Sequence, residues 1–206
     1  MVAQGILVGT AFLCCLLMGC VSHSSATNCA HDRAALLQLD ERAFDQPMSP
    51  NDGWRGLAAR GGCGLVAADL IRDYRKHHAS NSPILYWHEA QLRAMAGQIS
   101  VATTLMHQST RPDDQSGWNA YVDATIAFLQ HDRAALLAAQ SKLEQTPPPS
   151  GANVRPVGNG YVEVTYVNGK VSRMRWPLNS DVVEGFVRCF GKSYGEAYSS
   201  ACRDPK

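Results

Sequence analysis

The chain has 206 residues, 45% of them hydrophobic and only 18% charged, and 19 Lys and Arg against 18 Asp and Glu leave a formal net charge of +1. That balance is too mild for a nucleic-acid binder, where a basic stripe would be expected. It leaves enough apolar material for one domain with a sizeable core, or one domain with a small appendage.

Gly5 to Gly19 is an uncharged apolar run, too short to cross a bilayer as a mature helix, and it is followed by polar Ser22-His23-Ser24-Ser25. This is the pattern of an export signal over residues 1–19. The run ends Leu17-Met18-Gly19-Cys20, which resembles the lipobox of bacterial lipoproteins. The resemblance implies cleavage before Cys20, a lipid on its sulfur and a periplasmic location at the outer membrane. A second exit lies at Ser24-Ser25-Ala26, where cleavage before Thr27 would give a simply secreted chain. Residues 20–30 then read as a tether.

Of the seven cysteines, Cys14 and Cys15 fall in the signal and Cys20 at its end, leaving Cys29, Cys63, Cys189 and Cys202. An even count in an exported chain points to two disulfides, with three possible connectivities. Cys29–Cys63 and Cys189–Cys202 are favoured because each pair lies within one local unit. No metal is expected: the cysteines are not in C-x-x-C pairs and no closely spaced histidine pair accompanies them.

Residues 31–146 carry a helical period. His31-Asp32-Arg33-Ala34-Ala35-Leu36-Leu37 recurs identically as His131-Asp132-Arg133-Ala134-Ala135-Leu136-Leu137. Ala67 with Leu70 and Ala102 with Leu105 echo it at intervals of roughly 34 residues, the range of stacked helical hairpins. An alanine lets two helices approach, and the leucine one turn on fills the seam of the same face. The expected helices are an N-terminal cap over 32–45, then 54–60 with 64–77, 83–96 with 99–109, and 118–129 with 132–145. Pro83 opens the second pair and Gly97 stops its first helix. Aromatics at Trp54, Tyr86-Trp87 and Trp118, the Gly97 turn and the period make this region similar to tetratricopeptide-type repeats. The resemblance implies a short stack with a groove. Its candidate partner-binding residues are Tyr74, Tyr86, His107 and Tyr121, which the seam does not need.

Pro147-Pro148-Pro149-Ser150-Gly151 ends the helices, and residues 147–160 read as a linker. The period then falls to two. Tyr161–Val167 and Val171–Trp176 flank Asn168-Gly169, a hairpin signal that sets Tyr161 opposite Trp176. Helices over 181–190 and 193–201 complete a C-terminal unit over 161–206. This stretch holds 8 basic residues against 5 acidic from residue 151 onward. Arg173 and Arg175 share one face of the hairpin, and with Lys192 and Arg203 they suggest a basic edge for an acidic partner. The expected fold is therefore mainly α, a stack of antiparallel helical hairpins followed by a β-hairpin with two helices.

Catalytic patterns break at required residues. Gly191-Lys192-Ser193-Tyr194-Gly195 has the G-x-S-x-G form, but a helix precedes it and no histidine follows. A helix cap is the simpler reading. His88-Glu89 begins a zincin motif that Leu92 interrupts. His77 and His78 are adjacent and point to different faces. Asp69 and Asp73 share a face, a solvated one paired with Arg72, Arg75 and Lys76. No cofactor is expected. The sequence thus points to an exported, lipid-anchored binding module whose partner is another envelope or exported protein, such as a toxin or a hydrolase. It would act as an inhibitor or immunity protein or as a scaffold. The alternative is an envelope hydrolase with an unrecognised site.

Overall fold

The computed structural model describes residues 28–47, 49, 51–149, 151 and 153–204. The expected signal, the lipobox-like stretch with Cys20 and the expected exit before Thr27 lie outside the described residues. Among those described there are eleven helices and one three-stranded sheet, and no helix is long and apolar enough to cross a membrane.

The N-terminal cap is two short helices, not one over 32–45. Asp32 caps α1 (Arg33–Leu37), its Oδ1 accepting from Ala35 N at 2.9 Å, and Asp40 caps α2 (Glu41–Asp45), accepting from Ala43 N at 2.8 Å. Asp40 is extended (φ −64°, ψ 161°), so a second N-cap starts a new helix where a continuous one was expected. Six helices follow close to expectation: α3 (Gly53–Ala58), α4 (Gly64–His77), α5 (Pro83–Met95), α6 (Ile99–Gln108), α7 (Trp118–Leu129) and α8 (Arg133–Glu144). Each packs on the next, α4 on α5, α5 on α6 and α7 on α8 most extensively.

The seam departs from the repeat alignment. Ala67, Leu70, Ala102 and Leu105 are buried, as expected. Ala34 and Ala134 are exposed, and Leu137 is 42% exposed. In α8 the buried residues are Leu136, Ala139 and Leu143. In α1 the buried leucine is Leu37. The two identical heptapeptides share the same Asp cap, with Ala135 N donating to Asp132 Oδ1 at 2.9 Å, yet they bury different faces. A cap is decided within one turn; the buried face is decided by the neighbouring helix.

The core is in two parts that meet at α5. Phe44, Trp54, Leu57, Ile71, Tyr74 and Leu85 belong to the N-terminal part. Trp87, Ala90, Met106, Tyr121, Phe128 and Phe186 belong to the other.

The expected linker contains a strand. β1 (Val154–Gly158), β2 (Tyr161–Thr165) and β3 (Val171–Arg175) form an antiparallel sheet in the order β1-β2-β3. Tyr161 faces Arg175, one residue short of Trp176. The reason is the loop. Tyr166 N donates to Lys170 O and Gly169 N to Tyr166 O, both at 2.8 Å, and Gly169 has φ +78°. That closes a three-residue loop with a glycine bulge in place of a two-residue Asn-Gly turn.

After the sheet come α9 (Ser180–Arg188), α10 (Tyr194–Tyr198) and α11 (Ser200–Arg203). The single helix expected over 193–201 breaks at Ser199, which is extended (ψ 160°) and starts α11. These helices dock on the stack: Phe186 of α9 stacks on Phe128 of α7 at 4.7 Å. The sheet packs chiefly on itself and is tied at its base, where Trp176 Nε1 donates to Thr146 O at 3.1 Å and Arg175 pairs with Glu184. The two disulfides are Cys29–Cys63, closing a separation of 34 residues, and Cys189–Cys202, closing 13.

Candidate functional site

The buried polar groups gather around α5. Asp45, at the end of α2, is 1% exposed. Its Oδ1 accepts from Trp54 Nε1 at 2.8 Å and from His88 Nδ1 at 2.6 Å, and its Oδ2 accepts from Gln46 Nε2 at 2.7 Å. Burial pushes the Asp45 carboxyl up, but the His88 hydrogen bond and charge, with Trp54 and Gln46, outweigh it and hold the group below the usual value of 3.8. An aspartate holding a histidine through Nδ1 is two of the three members of a hydrolytic triad. Here the other ring nitrogen is occupied. Arg55 Nη2 lies 3.3 Å from His88 Nε2. Both ring nitrogens are thus engaged, Nδ1 by the Asp45 carboxylate and Nε2 by the Arg55 guanidinium. The Arg55 plane covers the Trp54 ring at 4.4 Å, and its Nε donates to Asp45 O at 2.8 Å. The imidazole therefore has no free nitrogen to serve as a base.

One residue on, Glu89 is 2% exposed and is held by Arg93 at 2.7 Å and by Arg75. Arg93 also reaches Asp69 at 2.9 Å and Gln98 Oε1 at 2.9 Å. Burial alone would lower the Arg93 pKa; Glu89 and Asp69 reverse that and raise it. Arg72 bridges Asp69 at 2.7 Å and Asp73 at 3.1 Å, and Arg33 of α1 reaches Asp73 at 3.2 Å. Asp73 is pushed up by burial and pulled further down by Arg72 and Arg33, so it lies below the ordinary carboxylate range. The Asp69–Asp73 face is thus an ion-pair lattice tying α1, α4 and α5 together. An open groove of about 860 Å³ shares Arg72 and Arg93 with it and is lined also by Arg75, Gln98, Ile99, Val101 and Leu105.

The expected groove residues do not come together as one surface. Tyr74 is buried, stacked on Phe44 at 3.8 Å, with its hydroxyl donating to Leu39 O at 2.8 Å. Tyr121 is buried against Trp87 at 4.9 Å, and burial pushes its hydroxyl pKa well up. Both complete the core. Tyr86 is half-buried beneath the Arg75 guanidinium at 3.9 Å. His107 is exposed near the end of α6.

The basic edge is similarly divided. Arg175 pairs with Glu184 and Arg203 with Asp181. Lys192 lines a separate hollow of about 270 Å³ beside His131 and Ser193. Arg173 alone stays exposed on the sheet, its guanidinium over the Tyr161 ring at 4.3 Å. Ser193 is the cap of α10, in a reciprocal capping box with Glu196. His77 and His78 do not diverge as expected: their rings lie edge to face at 4.9 Å and both meet the end of α1, His77 beside Gln38 at 3.4 Å and His78 bonding Leu37 O at 2.8 Å. Among the described residues no group of three or more His, Cys, Asp or Glu is placed to hold a metal ion.

Two features escaped the sequence reading. The Asp45–His88 pair joins residues 43 positions apart and leaves no local mark. Strand β1 did leave one: Gly158-Asn159-Gly160, with Asn159 at φ +52° and Gly160 at φ +72°, is a tight turn into Tyr161. Compared with protein families, curated proteins and solved structures, this chain matches none.

Proposed function

We propose that this chain is an exported protein-binding module, held at a membrane by a lipid on Cys20, that works without catalysis. The observation that carries the reading is where apolar surface is left uncovered. Nine large apolar side chains are exposed on the described surface, and five of them lie between residues 161 and 178: Tyr161, Tyr166, Val167, Val171 and Leu178. Scattered apolar residues need no explanation, whereas a cluster on an element that barely packs on its own body marks an interaction surface.

Export is supported by the two disulfides, which persist in oxidising compartments, and by the apolar run ending at Cys20. A degenerate tetratricopeptide-type arrangement of α3 to α8 is supported by the buried pairs Ala67 with Leu70 and Ala102 with Leu105. In this reading the stack is a rigid body and the sheet is the arm it presents. The absence of catalysis rests on the chemistry of His88, both of whose ring nitrogens are engaged. The partner is a protein of the same compartment, a toxin or hydrolase that the module inhibits or an assembly that it scaffolds.

Crosslinking the full chain in its own envelope, followed by mass spectrometry, tests the reading. One recurrent protein partner is expected, and an acyl mass on Cys20. If that partner is a toxin or hydrolase, adding the module should lower its activity. A folded Ser193→Ala variant that loses all biological effect would overturn the proposal in favour of an enzyme.

A further inference from the structure

Resting on the protein-binding reading, we infer that the outer edge of β3 is the docking edge. Its occupant is an extended segment of a partner protein that carries carboxylates at alternate positions.

Backbone parity decides which edge of the sheet is open. Tyr166 N donates to Lys170 O at one end of the β2–β3 ladder, and Trp176 N donates to Gly160 O at 2.7 Å at the other. In an antiparallel pair, hydrogen-bonded and non-bonded positions alternate. The bonded pairs between those ends are therefore Val164 with Ser172 and Val162 with Met174. At Val171, Arg173 and Arg175 the N–H and C=O groups point away from β2. Among the described residues these backbone groups meet no partner, and no helix packs along that edge. The strand offers three regularly spaced donor–acceptor pairs to a chain laid beside it.

The opposite edge is closed to such pairing. By the same parity, Glu163 is bonded to Arg155 across β1–β2, so Val154 and Pro156 face outward. Pro156 has no N–H to give, and the register shifts between Pro156 and Gly158. Proline and a bulge are the usual means of blunting an edge. The sheet is protected on one side and open on the other.

Charge selects the occupant. Val171, Arg173 and Arg175 share the face that also carries Tyr161, Glu163 and Arg155. Arg155 is paired with Glu163, and Arg175 with Glu184. Arg173 is the cation without a carboxylate partner among the described residues, and Lys170 stands exposed at the tip. A second copy laid antiparallel in full overlap would set Arg173 directly opposite Arg173, a like-charge cross-strand pair. An incoming strand with a glutamate or aspartate opposite Arg173 removes that repulsion. Its alternate apolar residues fall on the other face, the one that carries Ser172 and Met174 beside Val164 and Val162.

The probe is a short blocked peptide alternating glutamate with valine, with a lysine–valine counterpart as control. The oxidised, isotope-labelled protein is followed by amide hydrogen exchange and titration. The glutamate peptide should slow exchange at the Val171, Arg173 and Arg175 amides by about tenfold or more, and bind about tenfold tighter than the lysine peptide. Val171→Pro removes an outward N–H and keeps both arginines; Arg173→Glu keeps every N–H and reverses the charge. Each should weaken binding about tenfold. Arg173→Glu carries the test if Val171→Pro disturbs the strand. Saturating peptide that leaves those amides unprotected, or binding that both variants leave unchanged, overturns the inference. A dimer of the unmodified chain that Val171→Pro dissolves also overturns it, since the occupant is then a second copy. Envelope crosslinking separates the two levels. A partner captured equally by both variants refutes the edge and keeps the binding module, while the lack of any partner refutes the module.

Discussion

Replacing Asp45 tests whether the buried network around His88 is structural. Asp45→Ala removes the acceptor for two enclosed donors, Trp54 Nε1 and His88 Nδ1, at a site where the aspartate is 1% exposed. Each stranded donor costs about 1–3 kcal/mol, and breaking a buried pair by removing one partner costs about 3–5 kcal/mol in total. Gln46 is exposed and regains water. Asp45→Asn keeps an Oδ1 for both enclosed donors and loses the charge and the Oδ2 acceptor of exposed Gln46, so it should cost about 1–2 kcal/mol. Urea unfolding of the oxidised protein at neutral pH gives both values. The pH series adds a sign. The folded pKa of Asp45 lies below 3.8, so its contribution is fully present above that value and is lost as pH falls through the depressed one. The gap between wild type and Asp45→Asn should therefore shrink on acidification below 3.8. Equal costs for Ala and Asn, or a gap that widens in acid, would refute the charge-and-acceptor account.

Removing Cys29 and Cys63 together should cost about 4 kcal/mol for a loop of that length, and removing Cys189 and Cys202 about 3 kcal/mol, read as denaturation midpoints. Gly56→Ala would set a Cβ 1.8 Å from Asn51 O, so the backbone must shift; a loss of about 1–3 kcal/mol is expected. Gly64→Ala meets nothing within 4 Å on α4 and should be neutral or raise stability by up to about 1 kcal/mol. Ala102→Leu, at a buried seam position, should cost about 1–3 kcal/mol, while exposed Ala134→Leu stays within about 0.5 kcal/mol. Thermal melts that rank those two the other way would restore the heptapeptide register.

Local rules made the helices readable. Asp132, Pro83 and Gly97 act within one turn of themselves, and the helices they bound lie where the sequence puts them, whereas the helix that Asp32 caps ends at Leu37 instead of running on to 45. What the sequence hid was tertiary. His31–Leu37 and His131–Leu137 are the same seven residues, yet Leu37 is buried in one and Leu136 in the other, because α1 lies against α4 and α8 against α7. Tyr74 and Tyr121 looked spare because apolar spacing does not count how much core two helices must fill. β1 was lost under its own proline, which reads as a breaker even though an edge strand accepts it at a position facing out. The open edge of β3 needed the loop length, and an Asn-Gly pair alone suggested a loop one residue shorter.

The charged residues of α5 explain why so polar a helix can sit at the centre. Leu85 serves the N-terminal core and Trp87, Ala90 and Ala94 serve the other, so α5 cannot rotate without exposing one of them. His88, Glu89 and Arg93 lie between these faces and meet Asp45, Arg75 and Asp69 from α2 and α4. Such pairs add little net stability, because desolvation offsets the attraction. Their effect is on alternatives. Sliding α5 by one turn moves its charges about 5.4 Å along α4 and separates Glu89 from Arg75, at a cost of several kcal/mol for the stranded ions. Apolar residues alone would tolerate that slide far better, since leucine and alanine contacts are not directional. The buried ions thus hold the two cores in one register. Because α5 also meets α10, where Gln91 Nε2 donates to the Tyr194 hydroxyl at 3.4 Å, a slide of α5 would break that contact with the C-terminal helices as well.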